Sequence, residues 1–114
     1  MPYLIVKNAA GFIDFLKSVF GATERFKMMR EDDVTVRHAE VDIDGSIIML
    51  AEATEEYTPS PAGMFVYVDN ADQAFQKALS LGAESIMPVQ DQDYGRSGGV
   101  KDPFGNQWWI TQAK

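Results

Sequence analysis

The sequence repeats itself at a separation of about 60 residues, and this repeat limits the folds open to the chain more than any single motif. Gly45 and Gly105 lie 60 residues apart, each in a polar turn between two apolar runs. The chain is therefore predicted to contain two copies of one structural unit. Two further pairs of segments match at separations of 61 and 62 residues: Phe20-Gly21-Ala22 with Leu81-Gly82-Ala83, and Tyr3-Leu4-Ile5-Val6 with Phe65-Val66-Tyr67-Val68.

Each copy is predicted to form a strand, a helix and three further strands. Asn8 offers an N-cap to the first helix and Gly21 ends it, because glycine accepts the left-handed backbone conformation. This order predicts an α+β fold of two tandem βαβββ units, residues 1–56 and 63–114, joined by a linker at 57–62. The predicted strands are Tyr3 to Val6, Thr23 to Arg30, Val36 to Ile43, Ser46 to Leu50, Met64 to Asp69, Ser85 to Val89 and the two around the Asp102-Pro103 turn, with Gln90 to Gly95 as a polar connection.

The composition predicts one globular domain, and we expect it to bind neither nucleic acid nor a membrane. With 114 residues, of which 46% are hydrophobic and 24% charged, the chain has enough material for one core. The net charge of −7 argues against a phosphate-binding surface and favours a cationic or neutral ligand. No apolar run is long enough to span a bilayer, and the first residues lack a secretory signal, so a cytoplasmic location is expected. The absence of cysteine excludes disulfides and thiolate ligands.

Strand alternation assigns side chains to two faces, because neighbouring residues of a strand point to opposite sides of a sheet. Ala39 would pack under the first helix, whereas His38 and Glu40 would face the other side. In the last strand Trp108 would lie in the core and Trp109 on the other side. A ligand is therefore expected on the sheet face that carries no helix.

Several features together resemble one superfamily. They are the paired βαβββ units, the helix ends FGA and LGA, the hairpin HAEVDIDGSIIML at 38–50 and the segment YGRSGGVKDPFGNQWW at 94–109. The chain resembles the vicinal oxygen chelate superfamily over essentially its whole length, and it is most similar to the PhnB-like glyoxalase/bleomycin-resistance group. The resemblance implies that the strands form a curved, cup-like mixed sheet with helices on the outer face, usually completed by a homodimer.

Enzymes of that superfamily hold a divalent metal in the cup, typically with two His and two Glu. Carried over by resemblance, the acidic positions fall on Trp109 and Met49, and the His positions fall near Met1 and near Gly63 or Met64. None of these side chains is a ligand for a hard metal, and one His with no Cys cannot supply a two-His set. We therefore predict no cofactor, disfavour a divalent metal, and lean against enzymatic activity.

His38 and Glu40 are the candidate acid–base pair, since they share a strand face and His titrates near neutrality. The competing interpretation, which we favour, is that His38 only shapes the pocket wall. Arg96 lies beside the small residues Ser97-Gly98-Gly99. It could bind a ligand carboxylate, or form an ion pair with Glu40 or Glu52 across the sheet. We favour the ion pair. Glu52 itself is predicted to belong to a solvated acidic rim.

Aromatic residues suggest a cavity suited to flat or cationic groups, because rings stack on planar molecules and attract cations. The alternative is that the same rings fill the cup or a dimer interface.

The predicted function is metal-free binding of a small cationic or planar molecule by a homodimer. One alternative is an enzyme that uses a metal held by His38 with Glu40, or uses His38 or Tyr94 as acid–base group, as in glyoxalase-like lyases, isomerases or dioxygenases. Another is a scaffold with a filled cup. The predicted ligand-binding residues are Tyr3, His38, Glu40, Met49, Phe65, Tyr67, Tyr94, Arg96 and Trp109.

Overall fold

The computed structural model describes all 114 residues and contains eight strands and two helices. The chain divides into two compact units, Met1–Pro61 and Ala62–Lys114. Each unit has the element order βαβββ, so the predicted α+β fold is confirmed. The elements of the first unit are β1 (Tyr3–Val6), α1 (Ala9–Phe20), β2 (Thr23–Met29), β3 (Val36–Ile43) and β4 (Ser46–Glu52). Those of the second are β5 (Gly63–Tyr67), α2 (Ala71–Ser80), β6 (Glu84–Gln92), β7 (Gly95–Lys101) and β8 (Gln107–Ala113).

Each unit builds its own four-stranded mixed sheet. The strand orders are β1-β4-β3-β2 and β5-β8-β7-β6, and the first strand of each unit is parallel to the last while the other neighbours are antiparallel. A parallel pair needs a long crossover connection, and the helix of each unit lies within it. The two units therefore repeat the same topology.

Turn chemistry fixes the registers of both final hairpins. In the first unit Asp44 and Gly45 have φ of 49° and 93°, the left-handed pair that a two-residue hairpin loop requires. In the second unit the Asp102 carboxylate accepts hydrogen bonds from Phe104 N at 2.8 Å and Asn106 N at 2.9 Å. Trp108 Nε1 donates to the same carboxylate at 2.7 Å. A single buried side chain thus joins the turn to the core.

Each helix packs on one face of its sheet and leaves the other face without a helix. Ala39, Val41 and Leu50 are fully buried beneath α1, as alternation predicts. In the second unit Gly98 allows Phe75 of α2 to approach closely, because a Cβ there would lie 3.0 Å from the Phe75 ring. We call the uncovered side of each sheet its helix-free face. Neither helix is long and apolar enough to cross a membrane.

One predicted loop is wrong in part. Gln90 to Gly95 was expected to be a polar connection, but β6 continues to Gln92 and β7 begins at Gly95. Gln92 pairs with Gly95, so the connection is a two-residue turn at 93–94. The polar side chains suggested a loop, but an exposed strand of a sheet also tolerates polar residues on both faces.

Candidate functional site

A cross-strand row of four side chains spans the helix-free face of the first unit. Tyr3 pairs with Met49, Met49 with Glu40, and Glu40 with Phe26, so the four residues lie side by side across β1, β4, β3 and β2. Three of them were predicted as ligand-binding residues. Tyr3 is 55% exposed and Phe26 is 44% exposed, so both rings remain open to a ligand.

His38 lies on the same face, between two aromatic rings. The centroids of the Tyr3 and Phe26 rings are each 6.0 Å from that of the imidazole. His38 and Glu40 share this face, as alternation predicts, and no direct hydrogen bond joins them. The imidazole forms part of an aromatic wall with Tyr3 and Phe26.

A pocket of about 560 Å³ opens beside Tyr3 in the first unit. Its volume lies within the range of about 300–1,000 Å³ that small-molecule sites occupy, which argues against a scaffold with no space for a ligand. The sequence prediction included Tyr3 alone among the residues that line it. The lining residues are Tyr3, Ile5, Arg30, Arg37, Ala51, Glu52, Thr54 and Tyr57.

Glu52 is a helix cap, not part of a solvated acidic rim. Its two carboxylate oxygens accept hydrogen bonds from Asn8 N and Ala9 N, each at 2.8 Å, at the start of α1. A carboxylate is stabilised there because it satisfies unpaired N–H groups at the positive end of the helix dipole. The second unit uses an amide for the same purpose, since Gln112 Oε1 accepts from Ala71 N at 3.0 Å.

The helix-free face of the second unit carries an equivalent row with different chemistry. Phe65 pairs with Trp109, Trp109 with Gly99, and Gly99 with Met87. Trp109 therefore takes the place that Met49 has in the first unit, and Gly99 takes the place of Glu40. A Cβ on Gly99 would overlap the Trp109 ring, so the indole covers this glycine directly.

Two tyrosines surround Phe65 on this face. The ring centroid of Tyr67 lies 5.3 Å from that of Phe65, and the centroid of Tyr94 lies 5.9 Å away. All three side chains are more than half exposed. The structure thus brings the predicted residues of the second unit together, apart from Arg96.

Arg96 belongs to the opposite, helix-covered side of the second sheet. Its Nε and NH2 donate to the Asp72 carboxylate at 2.7 and 3.1 Å, and its NH1 donates to Asp91 at 3.1 Å. The predicted pairing of Arg96 with Glu40 or Glu52 is wrong, because its ion-pair partners are Asp72 and Asp91. The hydrogen bond from Arg96 lowers the pKa of Asp72, and the two carboxylates raise the pKa of Arg96. The predicted role of Arg96 in ligand binding receives no support from this position.

The donor set does not fit the divalent metal that the superfamily implies. By the resemblance, the acidic positions fall on Met49 and Trp109, and a thioether and an indole are poor ligands for hard cations. Nowhere does the chain gather three or more His, Asp or Glu side chains that could hold an ion. The chemistry available on these faces is therefore aromatic contact, hydrogen bonding and the charge of nearby arginines.

The fold and these faces define a tandem βαβββ protein whose sheets each keep one helix-free, aromatic face. A family model of the Glyoxalase/Bleomycin resistance protein/Dioxygenase superfamily matches residues 2–110, and the chain belongs to this superfamily. The resemblance inferred from sequence is confirmed.

Comparison with individual proteins also finds relatives and solved structures that match nearly the whole chain. The uncharacterized protein Mb0911c of Mycobacterium bovis is 33% identical over 97% of this chain and 80% of its own length. The crystal structure of TioX from Micromonospora sp. ML1 has a TM-score of 0.79 at 28% identity, covering 98% of this chain and 95% of TioX. The PhnB protein from Bacillus cereus has the same fold, with a TM-score of 0.79 at 20% identity over 99% of this chain and 98% of that protein.

Proposed function

We propose that the chain is a small-molecule binding protein that holds a planar ligand on its helix-free faces and uses no bound metal. The observation that carries this proposal is that Met49 and Trp109, on which the acidic metal-ligand positions fall by resemblance, each pair with an aromatic residue, Tyr3 and Phe65. Membership of a superfamily named partly for bleomycin resistance proteins supports binding as a function in its own right.

Aromatic contact favours a flat ligand. A well-placed ring pair contributes about 0.5–1.5 kcal/mol beyond the area that it buries. Tyr3, His38 and Phe26 offer neighbouring rings in the first unit, next to the pocket. The negative net charge had favoured a cation, and ring faces attract cations as well, so a planar cation is the second ligand class to test.

An enzymatic function is not proposed, because no observation favours it. The only histidine, His38, lies between the rings of Tyr3 and Phe26. The homodimer predicted from the resemblance is retained as part of the proposal. The exposed cluster of Phe65, Tyr67 and Tyr94 supports it, since aromatic residues are enriched at interfaces.

The binding proposal is tested by calorimetric titration with 2-naphthamide, a neutral planar probe, and with the 2-naphthylmethylammonium cation. We expect measurable affinity for at least one of them. We also expect Tyr3→Ala to weaken it about tenfold, which corresponds to the loss of one ring contact. Leu81→Ala is the matched control, because Leu81 is 41% exposed and lies at the end of α2. Equal affinity in wild type and Tyr3→Ala would count against the first-unit face as the site.

The metal-free part of the proposal has a separate test. Elemental analysis of purified protein is expected to find no divalent metal at stoichiometric level. A tightly bound ion present at one per chain, and lost in His38→Ala, would show that the face coordinates a metal through residues outside the superfamily positions.

A further inference from the structure

The pocket beside Tyr3 has a local charge opposite in sign to that of the whole chain. Arg30 and Arg37 line it with a single acid, Glu52, although the net charge of the chain is −7. Both oxygens of Glu52 already accept backbone N–H groups of α1, so its charge is largely balanced by the helix terminus. Neither arginine forms an ion pair with a carboxylate, and each could therefore bind an anion.

Arg37 reaches the pocket because β3 contains a bulge. Met28 pairs with His38 and Met29 pairs with Val36, so Arg37 is the extra residue with no partner. Val36 and Ala39 are both buried although they lie three residues apart, which confirms the break in alternation. A bulge redirects side chains, and this one turns Arg37 away from α1 toward the helix-free face.

Arg30 and Tyr57 are each positioned by hydrogen bonds. Arg30 NH2 donates to the Glu52 carbonyl at 3.2 Å, which leaves other guanidinium N–H groups for a ligand. Tyr57 N donates to Thr54 Oγ1 and Thr54 N donates to the Tyr57 carbonyl, both at 2.8 Å. This tight turn holds the Tyr57 ring at the pocket, where the side chain remains 61% exposed.

We propose that this pocket binds the carboxylate of a planar aromatic ligand, with Arg37 and Arg30 holding the carboxylate and Tyr3 and Tyr57 contacting the ring. The inference rests on the proposed binding function and specifies its ligand class. A guanidinium presents parallel N–H donors that match the two oxygens of a carboxylate, and charge-assisted hydrogen bonds of this kind are the strong ones. The cationic ligand suggested by net charge does not suit this pocket.

The two arginines also line a second pocket of about 470 Å³, and this one is a poorer anion site. Glu31 and Asp32 share its wall. The Asp32 carboxylate accepts hydrogen bonds from Val34 N, Thr35 N and Thr35 Oγ1, which fixes a negative charge beside Arg30. An anion is therefore favoured on the Tyr3 side of the arginines.

The test compares 2-naphthoate with its neutral isostere 2-naphthamide by calorimetry at low salt. We expect wild type to bind the carboxylate at least about tenfold more tightly than the amide, as hydrogen bonds between charged groups predict. Arg37→Gln should remove this preference by weakening 2-naphthoate binding far more than 2-naphthamide binding. Arg25→Gln is the matched control for charge, because Arg25 is exposed on β2 and lines neither pocket.

A charge-reversing variant is expected to gain binding of a cation, and an unfolded variant could not show this gain. Arg37→Glu is expected to favour 2-naphthylmethylammonium over 2-naphthoate, since the site would then repel the anion. If wild type binds 2-naphthamide and 2-naphthoate equally, the carboxylate site is wrong while the proposed binding function stands. If none of the three naphthyl probes binds, both are wrong.

Discussion

Replacing Asp102 by alanine should destabilise the protein severely, although the side chain lies in a turn. The carboxylate is only 4% exposed and accepts hydrogen bonds from Phe104 N, Asn106 N and Trp108 Nε1. Two of these donors belong to residues that are themselves fully buried, so water cannot replace the lost acceptor. Each buried donor left without an acceptor costs about 1–3 kcal/mol, and we expect a total of about 4 kcal/mol.

Urea denaturation measures this change as a lower midpoint with an unchanged slope. For a chain of this length, a loss of about 4 kcal/mol corresponds to a melting temperature lower by about 15 °C. Asp102→Asn keeps one acceptor oxygen but faces Trp108 Nε1 with an N–H donor, so it should lose about half as much.

Asp42→Ala is the matched control. Asp42 Oδ1 also caps a turn amide, Gly45 N at 2.6 Å, but Gly45 is exposed and water can replace the carboxylate. We expect a cost of about 1 kcal/mol or less there. If Asp102→Ala costs no more than Asp42→Ala, the assignment of Asp102 as the link between turn and core is wrong.

Three other predictions concern a helix cap, a pKa and the assembly. Glu52→Ala should cost about 1–2 kcal/mol in denaturant unfolding because Asn8 N and Ala9 N at the start of α1 lose their acceptor, whereas Glu56→Ala, which removes an exposed carboxylate, should cost nearly nothing. Hydrogen bonds from Thr35 lower the pKa of Asp32 to about 2 from 3.8. The ionised Asp32 carboxylate therefore stabilises the folded state above about pH 4, and this contribution is lost as the pH falls toward 2. Carboxyl NMR titration should show this pKa rising in Thr35→Ala. Tyr67→Glu should dissociate the proposed homodimer in sedimentation experiments, and a wild-type monomer would contradict that proposal.

The Asn8 and Gly21 caps of α1 and the Asp44-Gly45 turn could be predicted from sequence because each depends on residues close together in the chain. Asn8 and Gly21 act within one turn of α1, and the turn at Asp44-Gly45 needs only its own left-handed backbone. Alternation likewise placed Trp108 in the core, where it is 1% exposed. These are local rules, and the repeat let each rule be applied twice.

Contacts between distant residues were not predictable in the same way. Glu52 lies 44 residues from Asn8, and Arg96 lies 24 residues from Asp72. The sequence alone therefore did not identify which of its many acidic residues forms each contact. The bulge at Arg37 left one sequence signal, a spacing of three between apolar Val36 and Ala39 within an otherwise alternating strand. Strict alternation would have placed Arg37 under α1, which is why the pocket was missed.

The two helix-free faces show how one topology can serve different purposes. Gly99 stands where the first unit has Glu40, and without a Cβ it allows the Trp109 ring to cover the sheet. The second face is thus partly filled by its own indole, while the first keeps a pocket of about 560 Å³. A covered, aromatic surface favours contact with a flat partner, whereas an open pocket lined by two arginines favours a small anion. We therefore expect binding of a small anion to depend on residues of the first unit, and the proposed self-association to depend on those of the second.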